Sequence, residues 1–233
     1  MAAAGFTVLA HRGARGHAPE NTLRAFDKAL ELGAPWVELD VQWHAGELWV
    51  FHDARLERCT NGSGWLVDTD PATLRQLNAG GGERIPLLPE VLERIDRRCG
   101  VNVELKTGAG TGAAAAEVLR AFLSRGWKPE QFLVSSFLLP ELREFKSRLP
   151  KVPLGVLLCG VPLDLAAAAT TLGASVVSLD MEFAEPAIIA DAHRRGARVF
   201  AYTVNASDDV LRMKALGVDG VFSDYPERAL QLV

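Results

Sequence analysis

Short runs rich in β-branched and aromatic residues alternate with helical patterns along nearly the whole chain. FTVLA (6–10) opens the series, and a polar, Gly-containing loop leads to a helix predicted over 22–32, with Asn21 as its candidate N-cap and Gly33 at its end. WVELDVQ (36–42) is the second strand, and a Gly-containing turn at 45–47 returns it through the extended run LWVF. The regular pattern pauses over 53–87, a Gly-rich stretch with one short helix predicted near 71–77. It resumes with strands at 101–106, 132–136, 153–158, 175–180, 197–204 and 218–223. Helical patterns at 88–98, 112–124, 139–148, 163–171, 185–195, 207–215 and 226–230 separate and follow them.

Leaving the LWVF arm aside, the pattern contains eight strand–helix units. Strands alternating with helices of this length imply parallel pairing and right-handed crossovers. Eight such units predict an α/β fold, a TIM (β/α)8 barrel formed as one catalytic domain over 1–233. The stretch at about 53–87 is too long for an ordinary connection and predicts a small insertion after the second strand, lying over one rim.

Charge interrupts strands that should be apolar on both faces. Glu38 and Asp40 lie on one face of the second strand, roughly 7 Å apart along the chain. Glu104 and Lys106 repeat the spacing on the next barrel strand, His11 and Arg12 follow the first, and His52 ends the returning arm. Taken singly, Glu104 with Lys106 reads equally well as an internal salt bridge. His17, His44 and His193 read as structural. The convergence of polar residues at strand C-termini is what points to a site, because that end of a barrel is where active sites form.

Composition narrows the classes. With 233 residues and 48% hydrophobic content the chain can bury a full core. A net charge of -4 argues against a general nucleic-acid binder. The three scattered cysteines suggest a reducing compartment and no disulfide framework. The opening MAAAGFTVLAHRG lacks a basic n-region, and no apolar run approaches a membrane span, so a cytoplasmic protein without stable membrane association is expected.

Three carboxylates form a hard, all-oxygen ligand set suited to Mg²⁺ or Ca²⁺. Glu38, Asp40 and Glu104 exceed Arg12 and Lys106 by one negative charge, so a divalent cation together with a phosphodiester monoanion would neutralise the cluster. Arg12 can grip two phosphate oxygens, and Lys106 can act as a point charge. Breaking a phosphodiester needs one group to deprotonate the nucleophile and one to protonate the departing oxygen, and His11 and His52 supply such a pair.

HRG (11–13), PENT (19–22), ELD (38–40), FHD (51–53) and VELK (103–106) together closely resemble the glycerophosphodiester phosphodiesterase family, in its cytosolic bacterial type. TNGSG, IPLLPEVLE, SSF (135–137) and AYTVN (201–205) are similar to it too, so the resemblance spans essentially the whole chain. The resemblance implies a TIM barrel that hydrolyses glycerophosphodiesters to glycerol 3-phosphate and an alcohol with a divalent metal ion. It implies His11 and His52 as acid and base, Glu38, Asp40 and Glu104 as metal ligands, and Arg12 and Lys106 as phosphate contacts. Glu20 and Asn21, from PENT, take a supporting role among the substrate-binding residues. Tyr202 stands where the family often has Trp, beside the substrate's glycerol end. Asp180 and Glu182 also lie at a strand end but match no family motif. Direct attack by water and attack by the glycerol 2-hydroxyl both remain open. A lysophospholipase D-like activity, with Trp43, Trp65 and the insertion as an apolar rim, is the alternative within the enzymes. A non-catalytic glycerol-phosphate-binding barrel is the alternative outside them.

Overall fold

Alternation along each strand determines which side chains enter the middle of the molecule. A computed structural model describes residues 5–233. In it the extended runs form β1 (Thr7–Ala10), β2 (Trp36–His44), β3 (Glu47–Val50), β4 (Gly100–Leu105), β5 (Phe132–Ser136), β6 (Leu154–Leu158), β7 (Val176–Asp180), β8 (Arg198–Tyr202) and β9 (Gly220–Ser223). All but β3 are parallel to their neighbours, and the pairing of Leu9 with Trp36 and Ala10 with Val37 joins β1 to β2 and closes the ring. The fold is a TIM barrel. β3 pairs antiparallel with the far half of β2, Val41 opposite Val50 through His44 opposite Glu47, so this hairpin rises beyond the ring.

The helices are α1 (Leu23–Glu31), α2 (Pro71–Leu74), α3 (Leu88–Ile95), α4 (Thr111–Ser124), α5 (Leu139–Arg148), α6 (Ala167–Leu172), α7 (Pro186–Arg194), α8 (Ser207–Ala215) and α9 (Pro226–Leu230). Val37, Leu39 and Val41 of β2 pack with Val101, Val103 and Leu105 of β4 against helix residues such as Phe26, Leu92 and Leu119. The alternate set turns the other way. Leu9, Leu133, Val176, Phe200 and Phe222, from five different strands, meet inside the ring and plug it. Burying each such side chain contributes about 1.5–3 kcal/mol. By the same alternation Glu38 and Asp40 share the inward face of β2, where both are buried.

Three local details differ from the sequence pattern. Thr22, not Asn21, caps α1, its hydroxyl accepting from Ala25 N–H at 3.3 Å. Asn21 has φ 58° and turns its side chain to Asp40. The helix expected over 163–171 is only α6, because Leu165 at φ 52° is not helical. The helix expected near 71–77 stops after one turn at Leu74.

The insertion has structure of its own. Trp49, Phe51, Leu56, Leu66, Leu74, Ala79 and Ile85 form a separate apolar cluster. Asp70 caps α2, and the Asn78 side chain accepts from the N–H groups of Gly80 and Gly82. The cysteines are unpaired. Among the described residues no helix is long and apolar enough to cross a membrane.

Candidate active site

The C-terminal ends of the barrel strands surround a pocket of about 160 Å³, small beside the several hundred Å³ of sites for drug-sized ligands. One wall is polar: His11, Arg12, Glu38, His52, Glu104 and Lys106. The facing wall is Phe137, Leu157, Tyr202 and Phe222, with Tyr202 packed edge-on against both Phe137 and Phe222.

The polar wall is held by its own backbone. Gly13 follows Arg12 at φ 75° and donates its N–H to the Glu38 carbonyl at 3.2 Å. A Cβ there would come within 2.7 Å of Ala25, so only glycine lets this loop run against α1. The Arg12 N–H in turn donates to Glu38 Oε2 at 2.8 Å, which ties the loop to the carboxylate.

Glu38, Asp40 and Glu104 each present an oxygen so that the three lie within 4.8 Å of one another. Register explains it: Asp40 sits directly opposite Glu104 in the β2–β4 ladder, and Glu38 lies one inward position below. Asp40 Oδ2 accepts from Asn21 Nδ2 at 2.8 Å and lies 3.3 Å from Arg12 Nε. Lys106 Nζ is 2.7 Å from Glu104 Oε1 and 3.6 Å from Asp40 Oδ1. Glu38 Oε1 and Asp40 Oδ1 are buried and have no hydrogen-bond partner among the described residues. Unpaired buried carboxylate oxygens are costly, and a cation would satisfy them. The residues therefore fit a hard divalent ion.

The charges perturb one another. Burial, then repulsion by Asp40 and Glu104, pushes the Glu38 carboxyl well above its ordinary range. Burial and Asp40 push Glu104 up to about 7. Burial would raise Asp40 too, but Arg12 and Lys106 outweigh it and hold the carboxyl below its usual value. Burial lowers the pKa of both His11 and His52, against the opposing pull of Asp224 on the first and Asp40 on the second.

Glu20 and Asn21 do not line the pocket. Glu20 accepts from Arg12 Nη1 at 2.7 Å and from Arg58, and Asn21 holds Asp40, so both stand behind residues that do. Tyr202 lines the pocket and donates its hydroxyl to the Leu158 carbonyl at 2.9 Å. Trp43 and Trp65, the apolar rim open to the lysophospholipase D-like alternative, do not line it. Trp43 packs against the main core, and Trp65 is stacked with Arg55 on the insertion. Asp180 lies outside the pocket lining and accepts from Glu182 N–H at the turn after β7.

Several neighbours of the site escaped the sequence reading. Asp224 contacts His11, Asp53 contacts His52, and Arg58 joins Asp53 to Glu20. Asn102 and Phe137 line the pocket. Asp224 immediately follows β9, so the rule that singled out the other strand ends would have found it.

A model of the glycerophosphoryl diester phosphodiesterase family matches residues 11–228. The chain is 36% identical over 240 residues to a glycerophosphodiester phosphodiesterase of Caldanaerobacter subterraneus subsp. tengcongensis, an alignment that covers 97% of each. It is 30% identical to a glycerophosphodiester phosphodiesterase of Bacillus subtilis, over 94% of this chain and 84% of the relative. Among solved structures it is similar to an Oleispira antarctica phosphodiesterase in complex with the product sn-glycerol-3-phosphate. That match has a TM-score of 0.88 and 32% identity, and covers 97% of this chain and 96% of the other.

Proposed function

The chain belongs to the glycerophosphoryl diester phosphodiesterase family and is a phosphoric diester hydrolase, and we propose that it releases glycerol 3-phosphate from small glycerophosphodiesters by paired histidine catalysis at a divalent metal site. The observation that carries this reading is the cluster of three carboxylates, two of whose buried oxygens lack a hydrogen-bond partner among the described residues, beside a pocket lined by Glu38, Glu104, Arg12, Lys106, His11 and His52.

Glu38, Asp40 and Glu104 would hold Mg²⁺ or Ca²⁺, which supplies Lewis-acid charge to the phosphoryl oxygens when bound. Arg12 and Lys106 bind and orient the phosphodiester, their charge opposing that which develops on its oxygens. One of His11 and His52 takes the proton of the attacking hydroxyl, from water or the substrate's glycerol. The other, carrying a second proton as the imidazolium, gives it to the oxygen of the departing alcohol. Tyr202, with Phe137 and Phe222, supplies an apolar surface for the carbon skeleton of the glycerol. Glu20 and Asn21 support the substrate contacts by fixing Arg12 and Asp40. All of this falls within one catalytic domain, the insertion at about 53–87 covering its rim, in a cytoplasmic protein.

The test is release of glycerol 3-phosphate from glycerophosphocholine and glycerophosphoethanolamine, with EDTA and then with Mg²⁺ or Ca²⁺ restored. Release that EDTA abolishes and the ion restores is expected. Release indifferent to EDTA would refute the role given to the three carboxylates.

One observation favours a second reading, a lysophospholipase D-like activity. Of the nine large apolar side chains exposed among the described residues, Phe137, Leu138, Val161, Leu163 and Phe183 lie in the successive loops after β5, β6 and β7. Phe137 also lines the pocket, so this arc could carry an acyl chain out of it. Cleavage of lysophospholipid both below and above its micelle concentration supports that reading, and failure at both removes it.

A further inference from the structure

Each histidine of the pocket has a carboxylate on its far nitrogen. His11 Nδ1 lies 2.8 Å from Asp224 Oδ1, and His52 Nδ1 lies 2.5 Å from Asp53 Oδ1. The other nitrogen of His11 identifies the tautomer. Arg12 Nε–H points to His11 Nε2 at 3.3 Å, and a guanidinium can only donate, so Nε2 carries a lone pair and the proton is on Nδ1. Two independent contacts thus agree.

The carboxylates are themselves fixed. Asn205 Nδ2 donates to Asp224 Oδ2 at 2.9 Å, while Asn205 Oδ1 accepts the Asp224 N–H at 2.8 Å. Arg15 Nε stands 3.1 Å from Asp224 Oδ1 and reaches towards Glu20 at 3.6 Å. Arg58, delivered by the insertion, holds Glu20 and both oxygens of Asp53. The belt runs from His11 through Asp224, Arg15, Glu20, Arg58 and Asp53 to His52.

We propose that Asp224 and Asp53 are positioning residues that keep the Nδ1–H of His11 and His52 on their own carboxylates, leaving Nε2 as the atom that exchanges a proton with the substrate, unprotonated on the base and protonated on the acid, and that the insertion contributes Arg58 to lock the second pair. This rests on the reading of both histidines as the acid and base. A carboxylate on the outer nitrogen fixes the ring's orientation and tautomer and stabilises the imidazolium formed during proton transfer. Merely charging the neighbourhood would not require two matched pairs at Nδ1. The insertion then has a chemical purpose besides covering the rim.

The test begins with the wild-type protein labelled with ¹⁵N at histidine, at pH 8, with ring signals assigned from single His variants. His11 and His52 are expected to show the Nδ1–H pattern. An Nε2–H pattern at His11 overturns the proposal without any variant. Asp224→Asn removes the charge from His11 Nδ1 and leaves one amide oxygen where Asn205 and His11 each had a carboxylate oxygen, so the His11 ring ¹⁵N shifts should move from those of wild type. Its kcat should fall about 10²–10³-fold with KM within about threefold. Arg58→Gln, at a half-exposed side chain, should lower kcat about tenfold and alter the His52 pattern more than that of His11. A kcat within about threefold of wild type in Asp224→Asn overturns the positioning role. Full turnover in His11→Ala would instead overturn the catalytic reading beneath it.

Discussion

Replacing Glu104 by Gln should stabilise the metal-free protein at alkaline pH and destabilise the metal-loaded one. Burial and Asp40 raise the Glu104 carboxyl from 4.5 to about 7. Between those values the folded state binds more protons than the unfolded state, so this group's contribution is fully present below about pH 4.5 and is lost as pH rises through 7. At 1.36 kcal/mol per pH unit the loss is about 3 kcal/mol by pH 8. For a chain of this length that corresponds to about 6–12 °C in Tm. The two pocket histidines, whose pKa is lowered, act with the opposite sign, gaining stability as pH rises towards the unfolded value of 6.5. Glu104→Gln retains both, so the difference between the two proteins reports the carboxylate together with its coupling to Glu38 and Lys106. Thermal unfolding of EDTA-treated and desalted protein should give nearly equal Tm values at pH 5. At pH 8 the variant should be about 6–12 °C higher. Adding Mg²⁺ or Ca²⁺ at about 100 times its Kd should add about 2.7 kcal/mol to the wild type at pH 8 and far less to the variant. Little should be added to either at pH 5, where protons compete for Glu38 and Glu104. A variant no more stable than wild type at pH 8 without metal, or equally stabilised by the ion, would refute the shared carboxylate site.

Three further outcomes follow from the geometry. His52→Ala should lose about 10²–10⁴-fold in kcat while its far-UV circular dichroism and Tm stay near wild type, since His52 is partly exposed and, among the described residues, its ring bonds only Asp53. Asn21→Ala should cost about 2–3 kcal/mol in urea unfolding, because it removes both buried hydrogen bonds to Asp40, one to its carboxylate and one from its N–H, and leaves a non-Gly residue at φ 58°. Gly13→Ala should cost more than Gly33→Ala. Both positions have positive φ, worth about 1–2 kcal/mol, but only at Gly13 does the new Cβ strike backbone. Equal urea midpoints for the two glycine variants would contradict the close approach of the β1–α1 loop to α1.

Much of the barrel was legible because its cause is local. Runs of β-branched residues alternating with amphipathic helices specify parallel units, and their number specifies closure. Charges at strand ends stand out because parallel strands otherwise exclude them, which is why Glu38, Asp40, Glu104 and Lys106 could be singled out before any contact was known. Other features depend on partners distant in sequence. By composition Asn21 is a better cap than Thr22, but Asp40 of β2 draws Asn21 away. Leu157 and Phe222 look like ordinary core residues. Only the ring decides that their face of the strand meets the pocket. Asp224 is 213 residues from His11, and the β1–β9 pairing brings them together. The sequence by itself determined the strand–helix repeat and the chemistry placed at its ends, since both follow from side-chain type and spacing. Tertiary structure alone decided which oxygens share a site and which nitrogen faces it, because those depend on strand register and barrel closure.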